Sequence, residues 1–170
     1  MILSVHATFG AAVASLVPTH PVMAFSLGFV SHLVLDAIPH KDYDLISVET
    51  EPGRRPQLID TIYKKFRLIR DMMLVSFDAL VGICLAFIFF FDPAYPWIFF
   101  LGVAGAFLPD FLTFLYLFIE HKPLGLFLGF HVDIIHSKMI LNLNQVVGVC
   151  LQFCTLAVLI ALLFGIKSLL

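Results

Sequence analysis

Residues 143–166 contain no Asp, Glu, Lys or Arg. A run of this kind limits what the chain can fold into more than any motif, because about 20 apolar residues make a helix as long as a bilayer core is thick. Predominantly apolar runs recur at 20–39, 70–91 and 95–119, with a shorter one at 2–17. Each is far longer than the ~9–11 residues of a membrane barrel strand, so helices are the expected form. Composition agrees: 61% of residues are hydrophobic, 13% are charged, and the mean hydropathy is +1.01. A soluble domain has about 45–50% apolar and about 25% charged residues.

The expected fold is therefore all-α. It is a polytopic transmembrane bundle of about five spans in one integral membrane domain, residues 1–170. Residues 1–40 form a first hairpin, 41–68 a polar loop, 69–119 a second hairpin, 120–142 a re-entrant or interfacial segment and 143–170 the last span. The apolar stretch 123–137 is too short to span alone. Residues 1–17 carry no Lys or Arg, so they lack the basic start of a cleaved signal and read as a retained helix.

Charge sets the expected orientation. Lys41, Arg54, Arg55, Lys64, Lys65, Arg67 and Arg70 cluster between the second and third runs. The positive-inside rule puts the 41–70 loop in the cytoplasm. A net charge of −2 gives no basic footprint for nucleic acid, so the bilayer is the expected partner. The three cysteines, all in apolar runs with no CxxC pair, read as packing residues.

The two hairpins share a pattern. His6-x3-Gly10 in the first run parallels Asp78-x3-Gly82 in the third. Gly28-x3-His32-x3-Asp36 parallels Gly102-x3-Ala106-x3-Asp110. The paired glycines are 18 and 20 residues apart, and each hairpin turn carries two prolines, Pro18 and Pro21 in one, Pro93 and Pro96 in the other. This predicts a tandem two-helix repeat that brings His6, Asp78, Asp36 and Asp110 toward one axis.

Ionisable groups within spans are costly and face the bundle interior, where a partner stabilises them. Asp36 also lies at a helix C-terminus, against the macrodipole. No Lys or Arg shares its span, and Lys41 reaches it only by folding back, so a cation is the simplest partner. His and carboxylate donors suit Zn²⁺, then Mn²⁺ or Fe²⁺. The expected ligands are His6, His32, Asp36, Asp110 and His136, with Asp78 as a further ligand or catalytic base. His40, after the Pro39 break, is expected at the water's edge. His131 reads as a packed histidine, and His121 as a surface one. His20 and Asp92 belong to the opposite leaflet.

The segment LGFVSHLVLDAIPH, 27–40, resembles the Gly-x3-His-x3-Asp helix of the membrane-bound metal-dependent hydrolases of bacteria and archaea, which include a LexA-regulated inner-membrane type. LPD at 108–110 is similar to that family's Leu-Pro-Asp-x-Asp-His motif, and HS at 136–137 to its Thr-His-Ser motif. His6 resembles its N-terminal histidine. Phe111 and Leu112 depart from the second motif, Ile135 from the third, and the motif order is permuted. The resemblance implies a metal-dependent hydrolase in the inner membrane of a prokaryote. Together with the cluster's depth, it leads to an expected ester or phosphoester substrate, amphiphilic or phosphorylated, taken at the cytoplasmic leaflet. Two alternatives remain open from the residues alone: a metal-ion or proton transporter, and a small structural membrane protein that holds no metal.

Overall fold

The structure, a computed structural model, describes residues 1–49, 57–58, 63–119, 121–136 and 144–169, without the side chains of His136 and 166–169. Six α-helices follow in chain order: α1 Leu3–Ala14, α2 Pro21–Asp36, α3 Lys64–Phe90, α4 Pro96–Tyr116, α5 Lys122–Leu128 and α6 Gln145–Leu169. A π-helical segment, Gly129–His136, continues α5. In the polar loop, strands β1 Val48–Glu49 and β2 Gln57–Leu58 pair antiparallel.

Proline sets several boundaries. Pro21 and Pro96 occupy the first positions of α2 and α4, where a missing N–H costs nothing and φ is already helical. Pro39 disfavours helical backbone in the residue before it, and α2 stops at Asp36.

Three helices, α3, α4 and α6, are long and apolar enough to cross a membrane. The runs at 2–17 and 20–39, expected as spans, give helices of 12 and 16 residues. At ~1.5 Å per residue these reach about 18 and 24 Å, short of a ~30 Å hydrocarbon core. Instead α1 is the centre of the bundle. Eleven of its twelve residues are buried, and α2, α3, α4 and α6 pack around it. The outer helices are inverted in character: Phe77, Leu80, Ile88 and Phe89 of α3 and Trp97 of α4 point outward.

Small residues allow the close packing. A Cβ placed on Gly28 would lie 2.2 Å from the Gly102 carbonyl oxygen, and one on Gly105 would lie 2.2 Å from that of Phe25. So α2 and α4 touch backbone to backbone. Gly28 meets Gly102 and His32 meets Ala106, the positions paired by the expected repeat. In the other pair of helices α1 is enclosed and α3 is largely exposed.

Candidate metal centre

The first turn of any helix has backbone N–H groups without intrahelical partners. Three side chains from elsewhere take those of α1. Gln152 Oε1 accepts from Ile2 N at 2.9 Å, Tyr43 Oη from Leu3 N at 2.7 Å and Asp78 Oδ2 from Ser4 N at 2.9 Å. The Tyr43 hydroxyl then donates to Asp78 Oδ2 at 2.5 Å. Burial, reinforced by the Asp78 carboxylate, raises the Tyr43 phenol well above its ordinary range. The Gln152 amide also donates to Lys41 O at 2.6 Å, which ties α6 to the loop. These bonds fix the turn that carries His6.

The C-terminal turns of α2, the C-terminal half of α4 and the π-helical segment meet beside that turn. Here His32 Nε2 lies 3.0 Å from Asp36 Oδ2, 3.6 Å from Asp110 Oδ1 and 3.2 Å from His131 Nε2. His131 Nε2 is itself 3.0 Å from Asp36 Oδ2. One donor atom from each of His32, Asp36, Asp110 and His131 lies within 4.8 Å of all the others, so the group could hold a metal ion. The first two and His131 are buried, while the Asp110 side chain is 33% exposed and gives the cluster its open side.

Hydrogen bonds decide which imidazole nitrogens are available. His32 Nδ1 lies 2.6 Å from the Ala106 carbonyl oxygen, which can only accept. His32 therefore carries its proton on Nδ1. Thr113 Oγ1 donates to Pro109 O at 3.1 Å and so accepts from His131 Nδ1, also at 3.1 Å. Both rings, when neutral, turn an Nε2 lone pair toward the Asp36 carboxylate. Two lone pairs and two carboxylates aimed at one place repel each other unless positive charge lies among them. Zinc–nitrogen and zinc–oxygen bonds of ~2.0–2.2 Å put tetrahedral donors about 3.3–3.6 Å apart. Four of the donor pairs lie at 3.0–3.6 Å, and the two others, Asp110 with Asp36 and with His131, lie within 4.8 Å, so the residues present are of a kind and spacing that could hold a divalent cation.

The expected site residues distribute as follows. His32, Asp36 and Asp110 come together. His6 is fully buried, stacks on His32 with ring centroids 3.8 Å apart, and brings Nε2 to 3.2 Å from Asp36 Oδ1. Among the described residues, neither His6 ring nitrogen has a hydrogen-bond partner of good geometry, which ordinarily costs about 1–3 kcal/mol per group. Asp78 lies outside the four-residue group, engaged at the start of α1. The His136 side chain, Ser137, Arg54 and Arg55 lie outside the described residues.

Two expectations are corrected. His40 is not at the water's edge but fully buried. The chain beyond Pro39 folds back under α1, His40 Nδ1 donates to Ile38 O at 2.7 Å, and Nε2 comes to 4.0 Å from Asp36 Oδ1. His131 is not a packing histidine but a member of the cluster, because the π-helical segment brings it against α2 and α4. Asp36 also has a partner the sequence reading missed, the Met1 ammonium at 2.8 Å, while Lys41 pairs with Asp44 at 3.0 Å. The clue to His131 was the break it makes in the apolar stretch 123–137. No protein family, curated protein or solved structure matches this chain.

Proposed function

We propose that the protein is a membrane-embedded, metal-dependent hydrolase of ester or phosphoester bonds. The observation that carries this reading is the convergence of the His32 and His131 Nε2 atoms on the Asp36 and Asp110 carboxylates, with both Nδ1 atoms committed elsewhere. Zn²⁺ suits two imidazoles and two carboxylates best, ahead of Mn²⁺ and Fe²⁺. The chemistry such a cation supplies when bound is Lewis acidity, which polarises an ester or phosphoester oxygen and acidifies water.

The chain's own residues do the rest. His32, Asp36 and His131 hold the centre from its buried side, and Asp110 faces the open side where a substrate enters. Asp78, with both Ser4 N–H and the Tyr43 hydroxyl to satisfy, positions α1. Lys64, Lys65, Arg67 and Arg70 lie at the α3 end next to Asp71, which fastens the loop through Ile46 N and Ser47 N at 2.8 Å each. By the positive-inside rule this end is cytoplasmic, with α1 and α2 completing the bundle between three full spans. A site at that depth favours an amphiphilic substrate with an anionic headgroup beside the basic cluster.

A through-path for ions would need ionisable groups at both depths. Among the described residues, every buried Asp and His belongs to the end that carries the cluster, Asp71 and His40. The test is elemental analysis of the purified protein, followed by product release from mixed phospho- and carboxyl-ester lipids. Stoichiometric zinc, manganese or iron with metal-dependent product release is the expected result. A protein that takes up no transition metal on reconstitution refutes the reading.

A further inference from the structure

The two ends of α1 differ. Its first turn is closed by Gln152, Tyr43 and Asp78. Its last turn borders open space. At ~1.5 Å per residue the 12 residues of α1 reach about 18 Å, whereas the 27 of α3 and the 25 of α6 reach about 40 and 37 Å. Beside the end of the short central helix lies a cavity of about 330 Å³, whose lining includes Ser15, Phe90, Asp92, Tyr95, Phe99 and Phe164. That volume is at the small end of the ~300–1,000 Å³ typical of ligand pockets.

The chemistry of this lining favours a cation. Asp92 Oδ1 accepts from Ala94 N at 2.8 Å, and among the described residues Asp92 forms no ion pair. Pro93 follows Phe89 by four residues and has no N–H, so the Phe89 carbonyl cannot be bonded in helical register. Among the described residues no backbone N–H bonds the carbonyl oxygens of Phe89 and Phe90, which also line the cavity. Both α1 and α3 end here, and a helix C-terminus carries partial negative charge. The Ser15 hydroxyl proton is committed to Ala12 O at 2.7 Å. Among the described residues no Lys, Arg or His lines the cavity. The rest of the wall is largely aromatic, with Phe90 and Phe164 stacked at 6.2 Å, and aromatic faces attract cations as well as hydrocarbon.

We propose that this cavity binds a primary alkylammonium group, with the charged nitrogen held by Asp92 and the open carbonyls at the end of α3 and the alkyl part against the phenylalanine rings. An ammonium has three N–H donors and no acceptor, which suits a wall of one carboxylate and two unbonded carbonyl oxygens. A trimethylammonium keeps the charge and loses all three donors. An alcohol of the same chain keeps a donor and loses the charge. The site is separate from the metal centre, which lies beside the opposite turn of α1, and it stands whether or not that centre holds a metal. An ethanolamine phospholipid and a free alkylamine both carry the group.

The test is calorimetric titration of the full chain in a neutral detergent with hexylammonium chloride, hexyltrimethylammonium chloride and hexanol. Saturable binding of one hexylammonium per chain is expected, with hexyltrimethylammonium and hexanol each at least about tenfold weaker. Asp92→Asn keeps an acceptor for Ala94 N at an exposed position, so the turn is retained, and it is expected to weaken hexylammonium by at least about tenfold. The source is read from the lipid retained by protein extracted from vesicles of equal phosphatidylethanolamine and phosphatidylcholine. Enrichment of phosphatidylethanolamine that Asp92→Asn abolishes supports the site with a lipid as ligand. Saturable hexylammonium binding without that enrichment supports it with a free amine. No saturable hexylammonium binding, equal affinity for hexyltrimethylammonium, or binding unchanged by Asp92→Asn overturns the proposal.

Discussion

His32 Nδ1 and the Ala106 carbonyl oxygen are 2.6 Å apart, and this contact aims the opposite ring nitrogen at Asp36. It joins α2 to α4 where the two backbones are in direct contact, so packing and ligand orientation are one problem. A Cβ on Gly28 would meet the Gly102 carbonyl oxygen at 2.2 Å, and backbone cannot move aside as a flexible side chain can. Gly28→Ala is expected to push the helices apart, lower stability by about 1–3 kcal/mol and reduce metal occupancy. Thermal unfolding in detergent and metal analysis of the same preparation check both effects.

Thr113 is expected to act on the cluster without touching a cation. Its hydroxyl accepts from His131 Nδ1 and donates to Pro109 O, which fixes the ring's tautomer. Thr113→Val removes that acceptor at similar volume and is expected to weaken metal affinity ~10–100-fold. Thr113→Ser should restore it. Competition with a chelator of known affinity measures both variants, and equal affinity for Val and Thr would show that the hydroxyl does not orient His131.

Asp78→Asn separates positioning from ligation. The carboxylate accepts from Ser4 N and from the Tyr43 hydroxyl at the start of α1, outside the four-residue group. Its neutralisation is expected to cost about 1.5–3 kcal/mol of stability, as for hydrogen bonds to a charged group. Metal stoichiometry should be unchanged. Loss of metal at full stability would instead make Asp78 a ligand.

Much of the site was legible because helical spacing is local. His32 and Asp36 are one turn apart, and the matching glycine steps tie Asp110 to the same depth. The missed residues depend on chain paths that no periodicity encodes. His40 follows a proline that ends α2, and whether the chain then leaves for water or doubles back under α1 is a tertiary matter. His131 reaches the cluster through a π-helical segment, whose wider turn changes which residues share a face. The short helices α1 and α2 stand apart from the three long ones for a related reason. Hydropathy measures how apolar α1 is, and lipid and a shell of other helices favour that equally.

A divalent cation among His32, Asp36, Asp110 and His131 would be visible by its own scattering. Anomalous diffraction at the zinc edge, on crystals of the zinc-loaded protein, tests it most directly. A peak is expected about 2.0–2.2 Å from Nε2 of both His32 and His131. A map with no peak there, from crystals grown and soaked in excess zinc, would contradict it.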